Sequence, residues 1–361
     1  MMPDIKDRVE KIFSLIKGDV DYIFSIKRSS PNPTFSYITG LTYGLFEGSL
    51  ALIKRDGSIN LITSGLDKIE DNYIEVFVIK NQRDFKEVTR NLTKDCSSIG
   101  FDGRYTTFSD YKMMKRLVGK KRFHDVSKEL LLSRLKKDDY EINMIRKACR
   151  ISDKIFEELI EDLKEGIKEK ELALKIEILA KSLGGDDLSF KSIVAFGKNS
   201  AIPHHVSGNK KLKRNEIVLL DFGVKYRGYV SDMTRSFVYG KADNTVREMF
   251  EVVSTAQNIG RDMIKEGVKF EDVHKEIYNF IEKSKFKGKF IHSSGHTIGL
   301  EVHDGFSLVN GVKERFSNGV TFTIEPGIYL KSVGGIRIED DFVFLNGRVR
   351  KLTHSPTFLE I

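Results

Sequence analysis

Two aspartates lie on the two arms of a predicted β-hairpin, each among apolar residues. Asp221 lies within the run VLLDFG, and Asp232 follows GYVS on the returning strand. With the turn centred between Tyr226 and Arg227, the two aspartates are predicted to face each other across the strands, with Cβ atoms about 4.5–5.5 Å apart. Two desolvated carboxylates in this arrangement repel each other unless a cation lies between them. The hairpin therefore predicts one half of a metal site.

Three further ligand candidates follow the hairpin in the sequence. His296 lies in the stretch FIHSSGHTIGLEVHD, where a preceding glycine allows other backbone segments to approach closely. Glu325 ends an apolar strand, and Glu339 lies within a later one. A turn centred on Ser332 would bring these two glutamates opposite each other. They are expected to supply the second half of the site.

The five candidates form a set whose charge two divalent ions would neutralise. The candidate metal ligands are Asp221, Asp232, His296, Glu325 and Glu339. Oxygen-rich ligands with one neutral imidazole suit Mn²⁺, Co²⁺ or Fe²⁺, and also Zn²⁺. Two ions about 3.5–4 Å apart lower the pKa of a shared water and so produce a nucleophile at neutral pH. The set predicts hydrolysis at a carbonyl or phosphoryl centre.

Other side chains are placed to act on a substrate or to orient the ligands. The candidate catalytic histidines are His204, His292 and His303. We expect them to hold the substrate carbonyl, stabilise an oxyanion or pass a proton to the leaving nitrogen. Arg337 lies two residues before Glu339 on the same strand, so the two side chains share a face and are predicted to pair. His205 is expected to point away from the site.

The elements that must position these residues lie in the second part of the chain. A length of 361 residues exceeds one ordinary domain, and we place the domains at 1–127 and 128–361. The first domain alternates helix and strand signals and holds few candidate catalytic residues. In the second, Asp138 and Glu141 predict a capping box at the start of a long helix that ends at Gly166. Further helices, over 169–183, 245–265 and 270–283, alternate with strands.

Composition excludes several classes of protein. No apolar run reaches about 18 residues, and the charged N-terminus lacks the apolar core of a secretory signal. Cys96 and Cys149 lie far apart, which favours free thiols in a reducing cytoplasm. The net charge of +8 is concentrated in residues 112–122 and 209–214, which lack interleaved aromatics and are typical of a solvated surface. A cytoplasmic protein without nucleic-acid or membrane partners is expected.

Five segments of the second domain together resemble the pita-bread metallopeptidases, specifically the Xaa-Pro aminopeptidases and Xaa-Pro dipeptidases (prolidases). They occur in order as NSAIPH (199–204), VLLDFGVKYRGYVSDMTR (218–235), HSSGHTIGLEVHD (292–304), TIEPGIY (323–329) and GGIRIED (334–340). The first domain is similar to the creatinase-type N-terminal domain of these enzymes, as in FSYITGL (35–41). The resemblance implies an α+β chain, in which a smaller α/β creatinase-type domain precedes a C-terminal pita-bread domain of the creatinase/aminopeptidase fold.

The resemblance also implies an activity, which is cleavage of the bond between an N-terminal residue and a following proline by a metal-bridging hydroxide. It implies two divalent ions, with Mn²⁺ or Co²⁺ favoured over Zn²⁺ or Fe²⁺. Asp232 and Glu339 would bridge the ions, and the three candidate catalytic histidines would face the substrate. Arg337 would have a supporting role. The expected partners are a proline-containing peptide and a second copy of the chain in a homodimer.

Two alternatives and one departure remain open from the sequence. A methionine aminopeptidase uses a similar ligand set, although it needs no domain like 1–127. A non-catalytic binding protein on the same scaffold would be expected to have lost ligands, whereas all five are present. Ser307 and Leu308 stand where prolidases usually carry a Pro-Arg pair, and Lys313 or Arg315 are the nearest replacement cations. The choice between dipeptides and longer peptides is therefore left undecided.

Overall fold

The computed structural model describes residues 4–42, 44–67, 69 and 73–361. Contacts divide the chain into two units, the first ending at Arg134 and the second spanning Leu135–Ile361. The domain boundary predicted after residue 127 falls at the start of the helix Ser127–Leu135, whose far end coincides with this division. None of the helices in the described ranges is long and apolar enough to cross a membrane.

The first unit is built on a mixed sheet with helices. Its helices are α1 (Ile5–Leu15), α2 (Pro33–Thr39), α3 (Gln82–Leu92), α4 (Phe108–Val118) and α5 (Ser127–Leu135). Its strands are β1 (Tyr22–Ile26), β2 (Leu50–Lys54), β3 (Ile59–Thr63), β4 (Ile74–Val78), β5 (Ser98–Phe101) and β6 (Arg122–Asp125). They are ordered β4-β3-β2-β1-β5-β6, with β1–β2 and β2–β3 antiparallel and the other pairs parallel. The central strands β2 and β3 are mostly apolar because both of their faces are buried.

The second unit alternates pairs of helices with short sheets. Its helices are α6 (Asp139–Glu161), α7 (Glu169–Ser182), α8 (Asn244–Met263) and α9 (Phe270–Glu282), with a 3₁₀ helix at Gly197–Ala201. Its first strands are β7 (Asp187–Leu188), β8 (Ile193–Phe196), β9 (Glu216–Phe222), β10 (Val224–Tyr226), β11 (Tyr229–Val230) and β12 (Met233–Tyr239). Its last strands are β13 (Val320–Ile324), β14 (Gly327–Leu330), β15 (Gly334–Arg337), β16 (Asp340–Leu345) and β17 (Arg348–Lys351).

Each helix pair of the second unit contributes to a separate apolar core. Helices α6 and α7 pack with β8, β9 and β12, whereas α8 and α9 share a core with β13 to β16. The capping box predicted at the start of α6 is confirmed, because the side chains of Asp138 and Glu141 each accept the other's backbone N–H. The predicted end at Gly166 is wrong: α6 ends at Glu161. These packed helices provide a rigid support behind the strands that carry the candidate site.

The predicted register of the aspartate hairpin is wrong by two residues. Tyr226 pairs with Tyr229, so the turn is centred on Arg227 and Gly228 rather than one residue earlier. Both turn residues have positive φ, at 49° and 81°, as the tight hairpin turn that matches strand twist requires, and glycine tolerates this at the second position. Asp221 therefore pairs with Thr234 and not with Asp232. A shift of two residues leaves both aspartates on the original face.

The predicted register of the two glutamates is confirmed. In β14–β15, Leu330 pairs with Gly334, so the turn is centred on Ser332 as predicted. The neighbouring ladder β13–β16 is aligned about the same centre, and its pair nearest to the turn is Ile324 with Asp340. Glu325 and Glu339 follow and precede this last pair, where the chain passes from one ladder to the other. The two ladders thus end at the same point and bring both carboxylates to it.

Candidate metal centre and active site

A cavity of about 670 Å³ in the second unit collects the predicted site residues. Its polar lining comprises His204, Asp221, Asp232, His292, Ser293, His296, His303, Glu325, Arg337 and Glu339. Its apolar lining comprises Phe190, Ile193, Ile202, Pro203, Ile291 and Val302. All nine residues that the sequence assigned to metal binding or catalysis therefore line one cavity. His205 does not line it, in agreement with the alternation expected from the sequence.

Backbone close approach places His296 in the wall of this cavity. A Cβ atom at Gly295 would lie 2.1 Å from the carbonyl oxygen of Thr323, so only glycine fits there. Thr323 donates its backbone N–H to the carbonyl of His296 at 2.8 Å, which ties the histidine segment to β13. This confirms the sequence expectation that a glycine before His296 allows tight packing. The histidine is consequently held beside Glu325, at the end of the same strand.

The ring of His296 faces three carboxylates. Its Nε2 lies 3.5 Å from Asp232 Oδ2, 3.6 Å from Glu325 Oε1 and 4.0 Å from Glu339 Oε1. Its Nδ1 lies 3.4 Å from the carbonyl of Thr297, a contact that places the proton on Nδ1 and leaves a lone pair on Nε2. Burial and neighbouring His303 lower the pKa of His296 to about 3, so the ring is neutral. A neutral imidazole nitrogen surrounded by acceptor atoms is suited to hold a cation.

Carboxylate oxygens without hydrogen-bond partners also indicate a cation site. Among the described residues, Asp221 Oδ1, Asp232 Oδ1 and Glu339 Oε1 are buried side-chain atoms without a hydrogen-bond partner. Possible ligand atoms of Asp232, His296 and Glu339 all lie within 4.8 Å of one another. Buried carboxylate oxygens normally have partners, and orphaned ones need an explanation. The donor set therefore fits divalent cations, and these three residues form the centre of the candidate site.

Arg337 pairs with Asp221 rather than with Glu339, so the predicted partner is wrong. Its Nη2 donates to Asp221 Oδ2 at 2.5 Å, its Nε to Thr234 Oγ1 at 3.1 Å and its Nη1 to Tyr329 Oη at 2.8 Å. Thr234 in turn donates to Glu339 Oε2 at 2.7 Å. The guanidinium thus reaches Glu339 only through a hydroxyl. Arg337 therefore orients two carboxylates: it donates to Asp221 directly, and it acts on Glu339 through the hydroxyl of Thr234.

Both ring nitrogens of His292 are already engaged. Its Nδ1 lies 2.8 Å from the carbonyl of Ser293, and its Nε2 lies 2.8 Å from Tyr329 Oη. Burial, with Arg337 nearby, lowers the pKa of His292 to about 4, so a neutral ring donates from Nδ1 and accepts the tyrosine hydroxyl at Nε2. Tyr329 then accepts from the guanidinium. A chain of hydrogen bonds therefore links the histidine to the ligand set through a tyrosine that the sequence analysis did not select.

His204 and His303 line the cavity from the solvent side. Both are exposed, in contrast to buried His296. The rings of His303 and His296 are tilted by 41° with centroids 4.0 Å apart, which places one exposed imidazole directly beside the candidate ligands. His204 lies on the irregular segment that follows the 3₁₀ helix. These two imidazoles are available to a molecule that enters the cavity.

The sequence analysis also did not identify the residues that hold the backbone at Asp232. Asp341 Oδ2 accepts the backbone N–H of Asp232 at 2.9 Å and the thiol of Cys149 at 3.2 Å. The hydroxyls of Ser152 and Ser231 lie 2.8 Å apart and join the same helix, α6, to the residue before Asp232. Cys149 is a buried free thiol, as the sequence predicted. The one sequence signal that could have identified Asp341 is the alternation of side chains along β16, by which Asp341 points to the opposite face from Asp340.

The carboxylates in the cavity are poised to bind protons or metal ions. Burial raises the pKa values of Asp232 and Glu325 well above their ordinary range, and repulsion from Glu339 adds to both shifts. Burial, together with the charge of Asp221, raises the pKa of Glu339 to about 7 despite the opposing effect of Arg337. Because divalent ions compete with these protons, binding of metal should become stronger as the pH rises.

Replacing Glu339 with glutamine is expected to stabilise the metal-free protein, increasingly so as the pH rises from about 4.5 to about 7. In this window the unfolded glutamate is ionised while the folded one still holds its proton, so that in the parent each pH increment favours unfolding. The difference between Glu339→Gln and parent should reach the order of 3 kcal/mol above the window and vanish below it. Urea unfolding in EDTA at pH 4 to 8 measures this. A pH-independent difference would contradict the prediction.

Comparisons with known proteins show the family of the chain. Residues 143–345 match the model of metallopeptidase family M24, and residues 19–136 match the creatinase/prolidase N-terminal domain. The chain is 30% identical to an Xaa-Pro dipeptidase of Pyrococcus furiosus over 353 residues, covering 97% of this chain and 98% of that protein. It is 34% identical to an uncharacterized peptidase of Bacillus subtilis, over 73% of this chain and 74% of the other.

Solved structures give the same result. A dipeptidase from Pyrococcus horikoshii superposes with a TM-score of 0.88 at 33% identity, covering 98% of this chain and 99% of that one. An X-Pro aminopeptidase from Thermotoga maritima also reaches 0.88, at 29% identity, covering 95% and 98%. The predicted fold class, a creatinase-type domain followed by a pita-bread domain, is thereby confirmed.

Proposed function

Because this chain belongs to metallopeptidase family M24 and is a peptidase, we propose that it hydrolyses the bond between an N-terminal residue and a following proline. The observation that carries the proposal is the cavity in which the neutral Nε2 of His296 faces three carboxylates. Its relatives named Xaa-Pro dipeptidase and X-Pro aminopeptidase support the choice of proline.

Two divalent ions, Mn²⁺ or Co²⁺ in preference to Zn²⁺ or Fe²⁺, are proposed to bind in this cavity. The proposed ligands are Asp221, Asp232, His296, Glu325 and Glu339, with Asp232 and Glu339 shared between the ions. When bound, the ions supply Lewis-acid activation of water and of the scissile carbonyl. The unpartnered carboxylate oxygens supply the ligand atoms. Arg337 orients Asp221 directly and Glu339 through Thr234, as a supporting residue.

The substrate is proposed to meet the exposed side of the cavity. His204 and His303 are the imidazoles with access to it, and we assign them hydrogen bonds to the oxygen that becomes negative during attack. His292 acts on this side through Tyr329, since both of its ring nitrogens have partners. Glu325 keeps 14% of its side chain exposed and is the carboxylate assigned to pass a proton to the proline nitrogen.

The positively charged side chains of the cavity bear on whether the substrate is a dipeptide or a longer peptide. Neither Lys313 nor Arg315 lines the cavity, and Arg315 instead donates to the carbonyl of Gly267 at 2.6 Å. Among the described lining residues the single arginine or lysine is Arg337, whose three nitrogens each donate to a neighbouring side chain and whose charge is paired with Asp221. A dipeptide's free carboxylate would find no unengaged cation there. We therefore expect the carboxylate after proline to contribute nothing to recognition.

The purified protein loaded with Mn²⁺ or Co²⁺ should be assayed with Met-Pro, Met-Pro amide and Met-Pro-Gly-Gly. Met-Pro amide differs from Met-Pro only in the terminal charge, so it is the matched control for carboxylate recognition. We expect release of methionine from the longer peptide and from the amide at rates at least equal to that from Met-Pro. Met-Ala-Gly-Gly tests the need for proline, because a methionine aminopeptidase would cleave it. Failure to cleave any proline peptide would disprove the proposed function.

A further inference from the structure

The wall of the cavity that carries His204 has little regular structure of its own. Beyond the 3₁₀ helix Gly197–Ala201, residues 202–210 form no helix or strand. Ile202, Pro203 and His204 nevertheless line the cavity from this segment. Few backbone hydrogen bonds tie it to the rest of the unit, such as that from Lys170 N–H to the carbonyl of Gly208 at 3.0 Å, so its conformation depends largely on side-chain hydrogen bonds. We call residues 196–208 the histidine loop.

One buried carboxylate accepts four of these bonds. Glu169, the first residue of α7, is completely buried. Its Oε1 accepts from the backbone N–H of Phe196 at 2.9 Å and from Asn199 Nδ2 at 2.8 Å. Its Oε2 accepts from His205 Nε2 at 2.9 Å and from the backbone N–H of Gly208 at 3.0 Å. The four donors come from the beginning, the 3₁₀ helix, the middle and the end of the histidine loop.

The chemistry of these bonds requires an ionised glutamate. Burial alone would raise the pKa of Glu169, but the hydrogen bonds from His205, Phe196, Asn199 and Gly208 outweigh burial and lower it. Hydrogen bonds to an ionised acceptor are the stronger kind, and four of them on one group fix its position in all directions. An amide in place of the carboxylate has one oxygen and would turn an N–H₂ group toward two of the four donors.

We propose that Glu169 is a positioning residue for the peptidase reaction, which holds the histidine loop so that His204 faces the substrate. Glu169 does not line the cavity. It acts through His205, the immediate neighbour of His204, and through the two ends of the loop. The proposal rests on the proposed function in that it assigns the effect to His204.

Glu169→Gln should lower kcat/KM for the proline peptide by about 10- to 100-fold, because a displaced transition-state donor has effects of this order. The decrease should lie mainly in kcat. Affinity for Mn²⁺, measured by calorimetry, should remain within about twofold of the parent value, since the loop contributes none of the proposed ligands. The control is Glu171→Gln, two residues further along α7. Glu171 is exposed, and among the residues that the structure describes its side chain bonds only to Lys168, so this variant should behave as the parent.

A double-mutant cycle separates positioning from general destabilisation. In a His204→Ala background, Glu169→Gln should have little further effect on kcat/KM, because both changes remove the same interaction. Hydrogen exchange should accelerate at the amides of Phe196 and Gly208 and not in β9 or β12. If His204→Ala leaves no measurable rate, the ring signals of His204 in a histidine-labelled sample replace the cycle. They should shift in Glu169→Gln, while those of His124 in the first unit stay unchanged.

Several results would overturn the inference. One is that Glu169→Gln keeps the kinetics and the amide protection of the parent. Another is that Glu169→Gln lowers kcat/KM by the same factor whether or not the His204 side chain is present. A third is that its Mn²⁺ affinity falls together with kcat/KM. If Glu169→Gln does not fold, Asn199→Ala removes a single donor and should show a smaller decrease in kcat of the same kind. If the parent cleaves no proline peptide, the proposed function has failed. Loop exchange and the His204 signals then still decide whether Glu169 holds the loop.

Discussion

Replacing Asp232 with asparagine is expected to abolish cleavage of the proline peptide, with kcat/KM reduced by at least about 1,000-fold. Metal ions contribute several kcal/mol to transition-state stabilisation, and this residue is a proposed ligand of both ions. Its Oδ2 lies 3.5 Å from His296 Nε2, and its Oδ1 has no hydrogen-bond partner within the described chain. Asparagine keeps the volume and removes the charge. Calorimetry with Mn²⁺ should show the loss of at least one of two binding events.

The same substitution should stabilise the protein in the absence of metal. Burial and the charges of Glu339 and Asp221 raise the pKa of Asp232, so ionising this group at neutral pH costs folding free energy. Gain of stability together with loss of activity is the pattern expected when a fold maintains a repulsive site for function. Asp262→Asn is the matched control. Asp262 is an exposed aspartate paired with Arg261, and its replacement should leave both quantities at parent values.

Activity within about tenfold of the parent in Asp232→Asn would contradict the two-metal site. Loss of activity with unaltered binding of two Mn²⁺ ions per chain would show that Asp232 acts on the substrate and not on the metal. Loss of stability in EDTA would show that Asp232 makes attractive contacts that the structure does not contain. Each result is read against the control variant under the same conditions.

Replacing Arg337 with methionine is expected to destabilise the protein by about 3–5 kcal/mol, the usual cost of leaving one partner of a buried ion pair uncompensated. Asp221 would lose the guanidinium that donates to it at 2.5 Å, and Tyr329 and Thr234 would each lose a donor. Four carboxylates would then share the cavity without the guanidinium. Urea unfolding in EDTA at pH 7.5 measures this loss.

Arg337→Lys separates the charge from the geometry. Lysine keeps a cation near Asp221 but cannot donate in a fixed fork to three acceptors, so we expect an intermediate stability and metal affinity about 10- to 100-fold lower than that of the parent. Arg350 on β17 is exposed, and Arg350→Met serves as the control for loss of an arginine. Equal unfolding midpoints for Arg337→Met and Arg350→Met would contradict the role of Arg337.

The sequence predicted the identities of the ligand candidates because their signals are local. Apolar runs interrupted by single acidic residues mark Asp221 and Glu325, and the alternation of strands assigns their faces. The register of the glutamate ladders followed from one turn, at Ser332, and the structure agrees. The capping box at Asp138 is likewise a relation between residues three apart. Short-range periodicity was sufficient in each of these cases.

The aspartate hairpin shows where such reasoning stops. Its turn could be centred on either of two dipeptides, and the choice depends on which residues adopt positive φ, as Arg227 and Gly228 do. The error of two residues preserved the face and hence the functional conclusion, but it replaced the true cross-strand neighbour of Asp221, Thr234, with Asp232. Thr234 is the residue that links Arg337 to Glu339, so this link was missed too.

By itself, therefore, the sequence determined which residues are candidates to surround the proposed pair of metal ions and which strands carry them. Only the tertiary structure decided which groups pair with one another. Arg337 and Asp221 are 116 residues apart, Thr234 and Glu339 are 105 apart, and Glu169 and His205 are 36 apart. Contacts over such separations leave no periodic signal in the chain, because they arise when independently formed elements pack together. The partners that orient the candidate site belong to this second kind.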